Sequence, residues 1–570
     1  MAEEVWMLQT KKADFKQIGA RFRIDPVTAR IIRNRGIEGE AAIDRYLNGT
    51  LDDLYDPMLL KDMERAVSIL CEAVDTGKKI RIVGDYDIDG VCSTYILLQA
   101  FERLGSDVDF EIPDRIKDGY GINESIIEQA HADGVEVILT CDNGISAFHQ
   151  VELAKKYGMT VVITDHHEVP LDGEKEKIPP ADAVIDPKQA DCPYPFPEIC
   201  GAVVAYKLVQ VLYARRGVPR MEWLDLLEFA AIATVGDVMK LQDENRILVK
   251  YGLKKMAQTK NLGLRRLAEK NNLDLGAITA YHIGFVIGPC LNAGGRLKTA
   301  KEALALLRAQ SEEEAERLAE ELKELNDTRK DMTEQGTEAA KLQVESWYQK
   351  DKVLVVFLPE CHESLAGIIA GRLREYYQKP AIVLTRGEEA VKGSGRSIDE
   401  YHMFKKLTEV SDLLLKFGGH PLAAGLSLEE KNIDEFRRRL NENAGLTEED
   451  FKAKVWIDVP MPVGYVTERL VRELSCLEPF GQGNEKPLFA EKSLRIRASR
   501  VLGRNRNVVK MTLEETDGHA IEALYFGDGT AFEEERAGRR EICILYYPEI
   551  NEYNGRKTLQ AVIRRYKFRG

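Results

Sequence analysis

Gly84-Asp85-Tyr86-Asp87-Ile88-Asp89-Gly90 sets three carboxylates between an apolar run, 80–83, and a helix-like run, 91–98. Strand, turn, helix is the natural reading, and in an open α/β sheet such a turn lies at the carboxyl edge, where ligands bind. The flanking glycines permit the sharp bend. Clustered carboxylates repel one another unless a hard cation such as Mg²⁺ or Mn²⁺ lies between them. Taken alone, the stretch is equally a solvated acidic turn. A calcium loop is excluded, because an EF-hand needs Glu at its twelfth position; counted from Asp85, that position holds Ile96.

Outward from this turn, short apolar runs at 80–83, 108–112, 135–140, 160–164 and 183–185 alternate with amphipathic segments. That alternation predicts a parallel sheet with crossover helices. Three of the predicted strands end in reactive side chains: Asp85, Asp87 and Asp89; then Asp142-Asn143-Gly144; then Asp165-His166-His167. Neighbouring strands converge at one edge, so Asp87, Asp89, Asp142, His166 and His167 are expected to meet. Carboxylates with imidazoles suit Mn²⁺ and similar octahedral ions. One Asp at a strand end is ordinarily a helix cap; three such ends at one edge argue for a metal centre. Asp237 follows an apolar helix at 227–233, and a buried acid needs a partner, a metal being one option.

The remaining chain is read as follows. Residues 1–75 look helical and polar, with no evident chemistry. Within the helical region after 201, Gly288 to Leu297 reads as a Gly-rich loop that presents an Arg to phosphate, or equally as a tight turn between helices. Ser311 and Glu314 predict a capping box. It opens a long connecting helix, with Leu318, Leu322, Leu325, Met332, Ala339 and Leu342 near one apolar stripe. A second, smaller α/β unit follows, with Gly-rich turns at 392–397 and 417–425, either of them an oxyanion loop or merely flexible. From Trp456 several short alternating strands predict a small barrel of the OB type.

At 570 residues the chain has room for several domains. Its 44% hydrophobic and 31% charged residues are those of a globular protein. No apolar run is long enough for a bilayer span, the start of the chain lacks a signal-peptide pattern, and no membrane partner is expected. Nine scattered Cys predict reduced thiols and a cytoplasmic location. The net charge of −14 argues against general polyanion binding. Local charge differs: 492–510 carries seven Lys or Arg and no acid, and 564–569 interleaves basic and aromatic residues, as single-strand binders do.

Together these motifs resemble the DHH phosphoesterase superfamily and, within it, the RecJ-type single-strand-specific exonucleases. The resemblance spans nearly the whole chain. It rests on 84–90, Asp142-Asn143-Gly144, Asp165-His166-His167, Leu291-Asn292-Ala293-Gly294-Gly295-Arg296, Gly418-Gly419-His420 and Glu478-Pro479-Phe480-Gly481-Gln482-Gly483-Asn484. It implies an α/β protein with this order: an N-terminal helical segment at 1–75, a parallel-sheet DHH domain at 76–306 and a long connecting helix at 307–348. A smaller α/β DHH-associated domain at 349–450 and an OB-like β-barrel at 451–570 complete it. The implied activity is 5′→3′ hydrolysis of single-stranded DNA to mononucleotides in repair and recombination, with two Mn²⁺ or Mg²⁺ ions. A single-strand-binding protein and a helicase are candidate partners.

Carried over by position, the resemblance makes Asp87, Asp89, Asp142, His166 and Asp237 metal ligands, and Asp85 a ligand or the acid behind one. His167, Asp165, Arg396 and His420 form the implied catalytic set, with Asp165 orienting the histidines. Arg115, Asn292, Arg296, Ser394, Arg500 and Arg504 are the implied substrate contacts, with Arg115 at the 5′ end. The family has Arg where Cys290 stands, and Trp and Gly where Cys361 and Ser364 flank His362; these departures bear on the phosphate-binding loop and the second-domain pocket. Two rivals share the metal core. A small-molecule phosphodiesterase or polyphosphatase has no use for the basic track at 492–510. A non-catalytic DNA-binding scaffold would have lost ligands, yet all the expected acids and both histidines are present.

Overall fold

In a computed structural model, residues 4–553 and 555–569 are described; Met1 to Glu3, where the signal-peptide reading begins, lie outside them. The chain forms two compact units. One comprises Leu54–Lys240 and Glu244–Ala453; the other joins Glu4–Asp53 and Leu241–Asp243 to the chain from Lys454 onward.

The first unit opens on a five-stranded parallel sheet. Its strands are β1 (Ile80–Val83), β2 (Val108–Glu111), β3 (Val137–Cys141), β4 (Thr160–Thr164) and β5 (Ala183–Ile185), in the order β2-β1-β3-β4-β5. The central strands are buried on both faces, as helix-covered parallel strands must be. Helix α1 (Ile88–Arg103) follows β1, and α2 (Gly201–Arg216) and α3 (Leu227–Gly236) pack against it. All three are apolar around most of their circumference, so neither α2 nor α3 shows a helical stripe.

Gly288 to Leu297, read from sequence as a loop or turn, is a helix, α4 (Gly288–Leu297), entered through a π-helical turn at Ile283–Ile287. Its glycines are contact points. A Cβ on Gly295 would lie 2.3 Å from the Tyr86 carbonyl oxygen, and one on Gly294 2.7 Å from that of Thr299. The glycines suggested a loop or a tight turn; the close approach of helix to acidic turn is what demands them.

Helix α5 (Glu312–Gln343) is capped by Ser311, whose Oγ accepts from Glu314 N at 3.2 Å. The Glu314 carboxylate reaches back to Gln310 N instead of the cap residue's own amide. Its buried face carries Ala315, Leu318, Ala319 and Leu322, then Asn326, Thr333, Thr337 and Ala340. Ala339 and Leu342 of the expected stripe are exposed. Small polar residues replace them because Thr333 and Thr337 satisfy their hydroxyls on the carbonyls one turn back, at 2.7 Å each.

The unit ends in a second sheet of β6 (Leu354–Phe357), β7 (Ala381–Arg386), β8 (Val391–Arg396), β9 (Leu414–Gly419) and β10 (Ala423–Leu428), in the order β9-β10-β8-β7-β6. Helix α6 (Ala366–Tyr377) packs on β7 and β8 and against α5. The Gly-rich stretch at 392–397 is therefore mostly strand, and 417–425 is a hairpin with its turn at 420–422. Glycines recur there because neighbouring side chains fill their Cβ space: Leu384 and Leu426 lie over Gly393, Met403 over Gly395.

In the second unit five strands close a ring: Phe489–Leu502, Val508–Glu514, Ala520–Phe526, Arg556–Phe568 and Glu541–Tyr553, the last pairing again with the first. Closure removes the exposed edges of an open sheet. The segment read as 1–75 is divided. Its helices at Pro26–Asn34 and Glu40–Asn48 bury Ile31, Ile32, Ile43 and Tyr46 in the barrel core with Val459, Leu477 and Phe489. Its strand Glu4–Leu8 pairs with Ala453–Ile457. Helical character was legible; the apolar face and the core it joins were not.

Candidate active site

The carboxyl edge of the parallel sheet gathers the predicted acids. Asp87 caps α1, its Oδ1 accepting from Asp89 N at 3.0 Å and Gly90 N at 3.1 Å. Asp89, on the first turn, is fully buried and accepts from Gly201 N and Ala202 N, 2.7 Å each, at the start of α2. A helix N-terminus thus holds this carboxylate in place. Asp142 directly follows β3 in the left-handed region, φ 60°, which Asp tolerates better than most residues. Asn143 ties the edge together, donating to Val83 O and Cys141 O and accepting from Ile122 N.

Asp165 is buried and saturated with donors. Its Oδ1 accepts from the amides of His166 and His167 and lies 2.8 Å from His167 Nδ1; its Oδ2 accepts from Ile145 N. His166 Nε2 lies 3.1 Å from Asp142 Oδ1, 3.4 Å from Asp89 Oδ2 and 3.8 Å from Asp237 Oδ2. Asp237 arrives at the C-terminal end of α3. Asp85 is buried and accepts from Gly121 N at 3.2 Å.

Donor atoms of Asp142, His166 and His167 lie within 4.8 Å of one another, as do those of Asp89, His166 and Asp237, and those of Asp85, Asp87 and Asp142. Asp142 and His166 each belong to two of these groups. Among the described residues no Lys or Arg forms an ion pair with any of the five acids. Burial pushes Asp142 well up, reinforced by the charges of Asp89, Asp87, Asp85 and Asp237. Burial and the charges of Asp89 and Asp87 bring Asp237 to about 8. Burial lowers His166, and its Nδ1 is buried without a partner. Burial opposes a charge on His167, but the hydrogen bond and charge of Asp165 prevail and raise it to about 9. Mutually repelling carboxylates with a neutral imidazole are a donor set that fits divalent Mn²⁺ or Mg²⁺.

Beside this cluster, within the same unit, lies a pocket of about 780 Å³ lined by Arg115, Arg296, Arg396, Ser394, Lys392 and Lys416. Arg115 lies over the Tyr86 ring, 4.7 Å from its centroid. Arg296 donates to Ser364 O, and Arg396 to Ser394 Oγ and Gly395 O. Burial, then the charges of Arg115 and Arg329, lower Arg296 to about 10; burial and Arg115 lower Arg396 as well. Guanidinium groups crowded enough to disfavour their own charges suit a phosphate.

The other expected residues are placed apart. Asn292 is half-buried on α4, one turn before Arg296. His420 is exposed on the β9–β10 turn and outside the acid cluster. Arg500 and Arg504 belong to the second unit, on a barrel strand and the turn after it, both exposed. Cys290 points away from the pocket into the contact with α5, where Asn326 Nδ2 lies 3.4 Å from its sulfur. Cys361 is half-buried, its sulfur 3.6 Å from the His362 carbonyl oxygen; Ser364 Oγ lies 2.8 Å from His362 Nδ1.

Sequence reading missed Tyr120 and Gly201. Tyr120 Oη donates to Asp142 O at 2.7 Å and lies 3.1 Å from His167 Nδ1. It stands between Gly119 and Gly121 just beyond β2, a turn at the same sheet edge, which was the available signal. Gly201 carried no local signal.

Family models match along the chain: the DHH family N-terminal domain at 79–234, the DHHA1 domain at 350–445 and the RecJ OB domain at 457–565. The single-stranded-DNA-specific exonuclease RecJ of Bacillus subtilis is 36% identical over 564 residues, covering 98% of this chain and 70% of that protein. The chain belongs to the RecJ family. RecJ of Escherichia coli is 34% identical over 563 residues, 95% of either chain. The crystal structure of RecJ in complex with Mn²⁺ from Thermus thermophilus superposes with a TM-score of 0.84 at 28% identity, covering 99% of this chain and 80% of that one. A RecJ fold thus accounts for the sheet, the connecting helix, the second sheet and the closed barrel.

Proposed function

We propose that the protein is a single-stranded-DNA-specific 5′→3′ exonuclease that uses Mn²⁺ or Mg²⁺ and releases mononucleotides. One observation carries this reading: a buried cluster of acids and imidazoles opens beside an arginine-lined pocket in the same unit. Asp85, Asp87, Asp89, Asp142, His166 and Asp237 would hold two cations, with Asp142 shared between them. When bound, the cations supply Lewis acidity, neutralising phosphate charge and acidifying water.

The chain's own residues do the rest. Arg115, Arg296, Arg396 and Ser394 bind the terminal phosphate and so set polarity. Asp165 and Tyr120 hold His167, whose protonated ring offsets charge on the phosphoryl group. Arg396 and the exposed His420 serve the same end from the second sheet. A pocket of 780 Å³ is of small-ligand size, room for a terminal nucleotide and not for a double helix. Arg500 and Arg504 on the barrel guide the strand through backbone charge. The nine free thiols favour the reducing cytoplasm, and a single-strand-binding protein and a helicase are the proposed partners. No helix among the described residues is long and apolar enough to cross a membrane.

The test is digestion of 5′-labelled and 3′-labelled single strands, and of their duplexes, by the native protein and by Asp142→Ala. Early release of the 5′ label, resistance of blunt duplex and loss of activity in the variant are expected. Early release of the 3′ label refutes the polarity, and an active variant refutes the metal assignment.

A further inference from the structure

Two neighbouring aromatic rings at the approach to α4 are open to water and stacked on each other. Tyr281 is 63% exposed and Phe285 67% exposed, and their rings stack with centroids 4.7 Å apart and planes 27° from parallel. Water contact forfeits the burial that large apolar side chains otherwise gain. The backbone beneath them is fully anchored: Ile283 and Ile287 are buried, and the π-helical turn Ile283–Ile287 runs straight into α4. Such turns recur at functional sites.

The position of this pair follows from three glycines. A Cβ on Gly295 would collide with the Tyr86 carbonyl, one on Gly288 would lie 3.3 Å from Ile88 Cδ1, and one on Gly284 3.6 Å from Val235 Cγ1. Tyr86 and Ile88 flank Asp87, and Val235 is two residues before Asp237. The helix therefore lies along the metal-binding edge for its whole length. Its solvent side is equally ordered: Tyr281, Phe285, Pro289, Asn292 and Arg296 are exposed or half-buried at helical spacing. That stripe runs from Arg296 at the arginine pocket to the stacked rings, on the same helix whose glycines touch the residues beside Asp87 and Asp237.

We propose that Tyr281 and Phe285 form a base-stacking platform for the strand on the 3′ side of the scissile phosphate. This rests on the exonuclease reading above. A strand held at Arg296 by its 5′ end has its next phosphates beside the acids and its following bases over the rings. The distance from Arg296 to Phe285 is roughly 16 Å at the helical rise, about five nucleotides at the 3.4 Å spacing of one stacked strand. A dinucleotide does not reach the platform and a longer strand does. Stacking on an aromatic face is indifferent to base identity, as a digestive enzyme requires.

The experiment compares the full-length native protein with Tyr281→Ala/Phe285→Ala and with Tyr281→Trp/Phe285→Trp, all with Mn²⁺. Steady-state hydrolysis is measured on 5′-phosphorylated dT2 and dT12, and binding by anisotropy of 3′-labelled dT12. For the alanine variant the KM and Kd for dT12 rise about tenfold, while kcat and KM for dT2 stay within twofold; the tryptophan variant regains native values. An unchanged dT12 Kd overturns the proposal, as does equal weakening on dT2 and dT12. Altered self-association with unchanged strand binding overturns it too, making the rings an interface between copies. If the native protein cleaves neither oligonucleotide, the exonuclease reading fails, while anisotropy still decides the platform.

Discussion

Single residues at the sheet edge show how little slack the site has. Gly201 opens α2 under Asp89 and beside Asp142, and a Cβ there would stand 2.7 Å from Asp142 Cβ. Gly201→Ala must displace either the helix N-terminus or the acid. The fold should survive by circular dichroism, while Mn²⁺ affinity and kcat/KM fall about 100-fold, the scale seen when supporting contacts of metal ligands are lost. Proton linkage gives a second expectation. Burial and the neighbouring Asp89 and Asp87 hold Asp237 near 8 against an ordinary 3.8, so the metal-free site carries protons at neutral pH that a cation must displace. Mn²⁺ binding should release protons and tighten as pH rises from roughly 6 to 8. Titration calorimetry in buffers of different ionisation enthalpy reads both; a pH-independent Kd there contradicts the acid cluster. The sign for stability is the reverse. The unfolded carboxylates ionise first, so metal-free protein loses stability as pH climbs from about 4 towards about 8.

Among the elements, α5 carries the arrangement of the two sheets. Gly336 on α5 faces α6, where a Cβ would come within 2.6 Å of Ile369 Cδ1, a fully buried side chain. Gly336→Ala overpacks that contact and should cost about 1–3 kcal/mol. Arg115 and Arg296 come from the first sheet's side of the helix, Ser394 and Arg396 from the second. A shift of α6 therefore raises KM for 5′-phosphorylated strands more than it lowers kcat. Thermal midpoints and steady-state kinetics check this, and adding Ile369→Val should restore both. The expected Leu and Ala stripe failed on this helix for a physical reason: Asn326, Thr333 and Thr337 can be buried because side-chain and backbone acceptors satisfy them. Hydrophobic periodicity is blind to that. Helix α4 was obscured in a similar way, its glycines being read as turn formers when they serve close packing.

For the whole molecule, the division of the chain makes a strong claim about truncation. Residues 4–53 belong to the barrel's unit and contribute to its core, so deleting only the C-terminal part leaves Ile31, Ile32, Ile43 and Tyr46 uncovered. Fragment 1–453 should aggregate, whereas fragment 54–453 should elute as a compact species and cleave short oligonucleotides with Mn²⁺. Its KM for long strands should rise about tenfold once the basic barrel is gone. Size-exclusion chromatography and length-dependent kinetics test it, and well-behaved 1–453 would refute the shared core.

The amino-acid sequence by itself determined the parallel sheet, its acidic and imidazole strand ends, the capped connecting helix and the β-rich end. Those depend on local periodicity and turn chemistry, which one strand or helix displays without its neighbours. Even the convergence of Asp87, Asp142 and His166 was legible, because parallel strands deliver their carboxyl ends to one edge. Only the tertiary structure decided that Gly201 supports Asp89, that Tyr120 faces His167, that the arginines crowd into one pocket and that residues 4–53 cover the barrel. Each of these is a meeting of segments distant in the chain, set by which surfaces can approach closely enough to bury area and satisfy their polar groups.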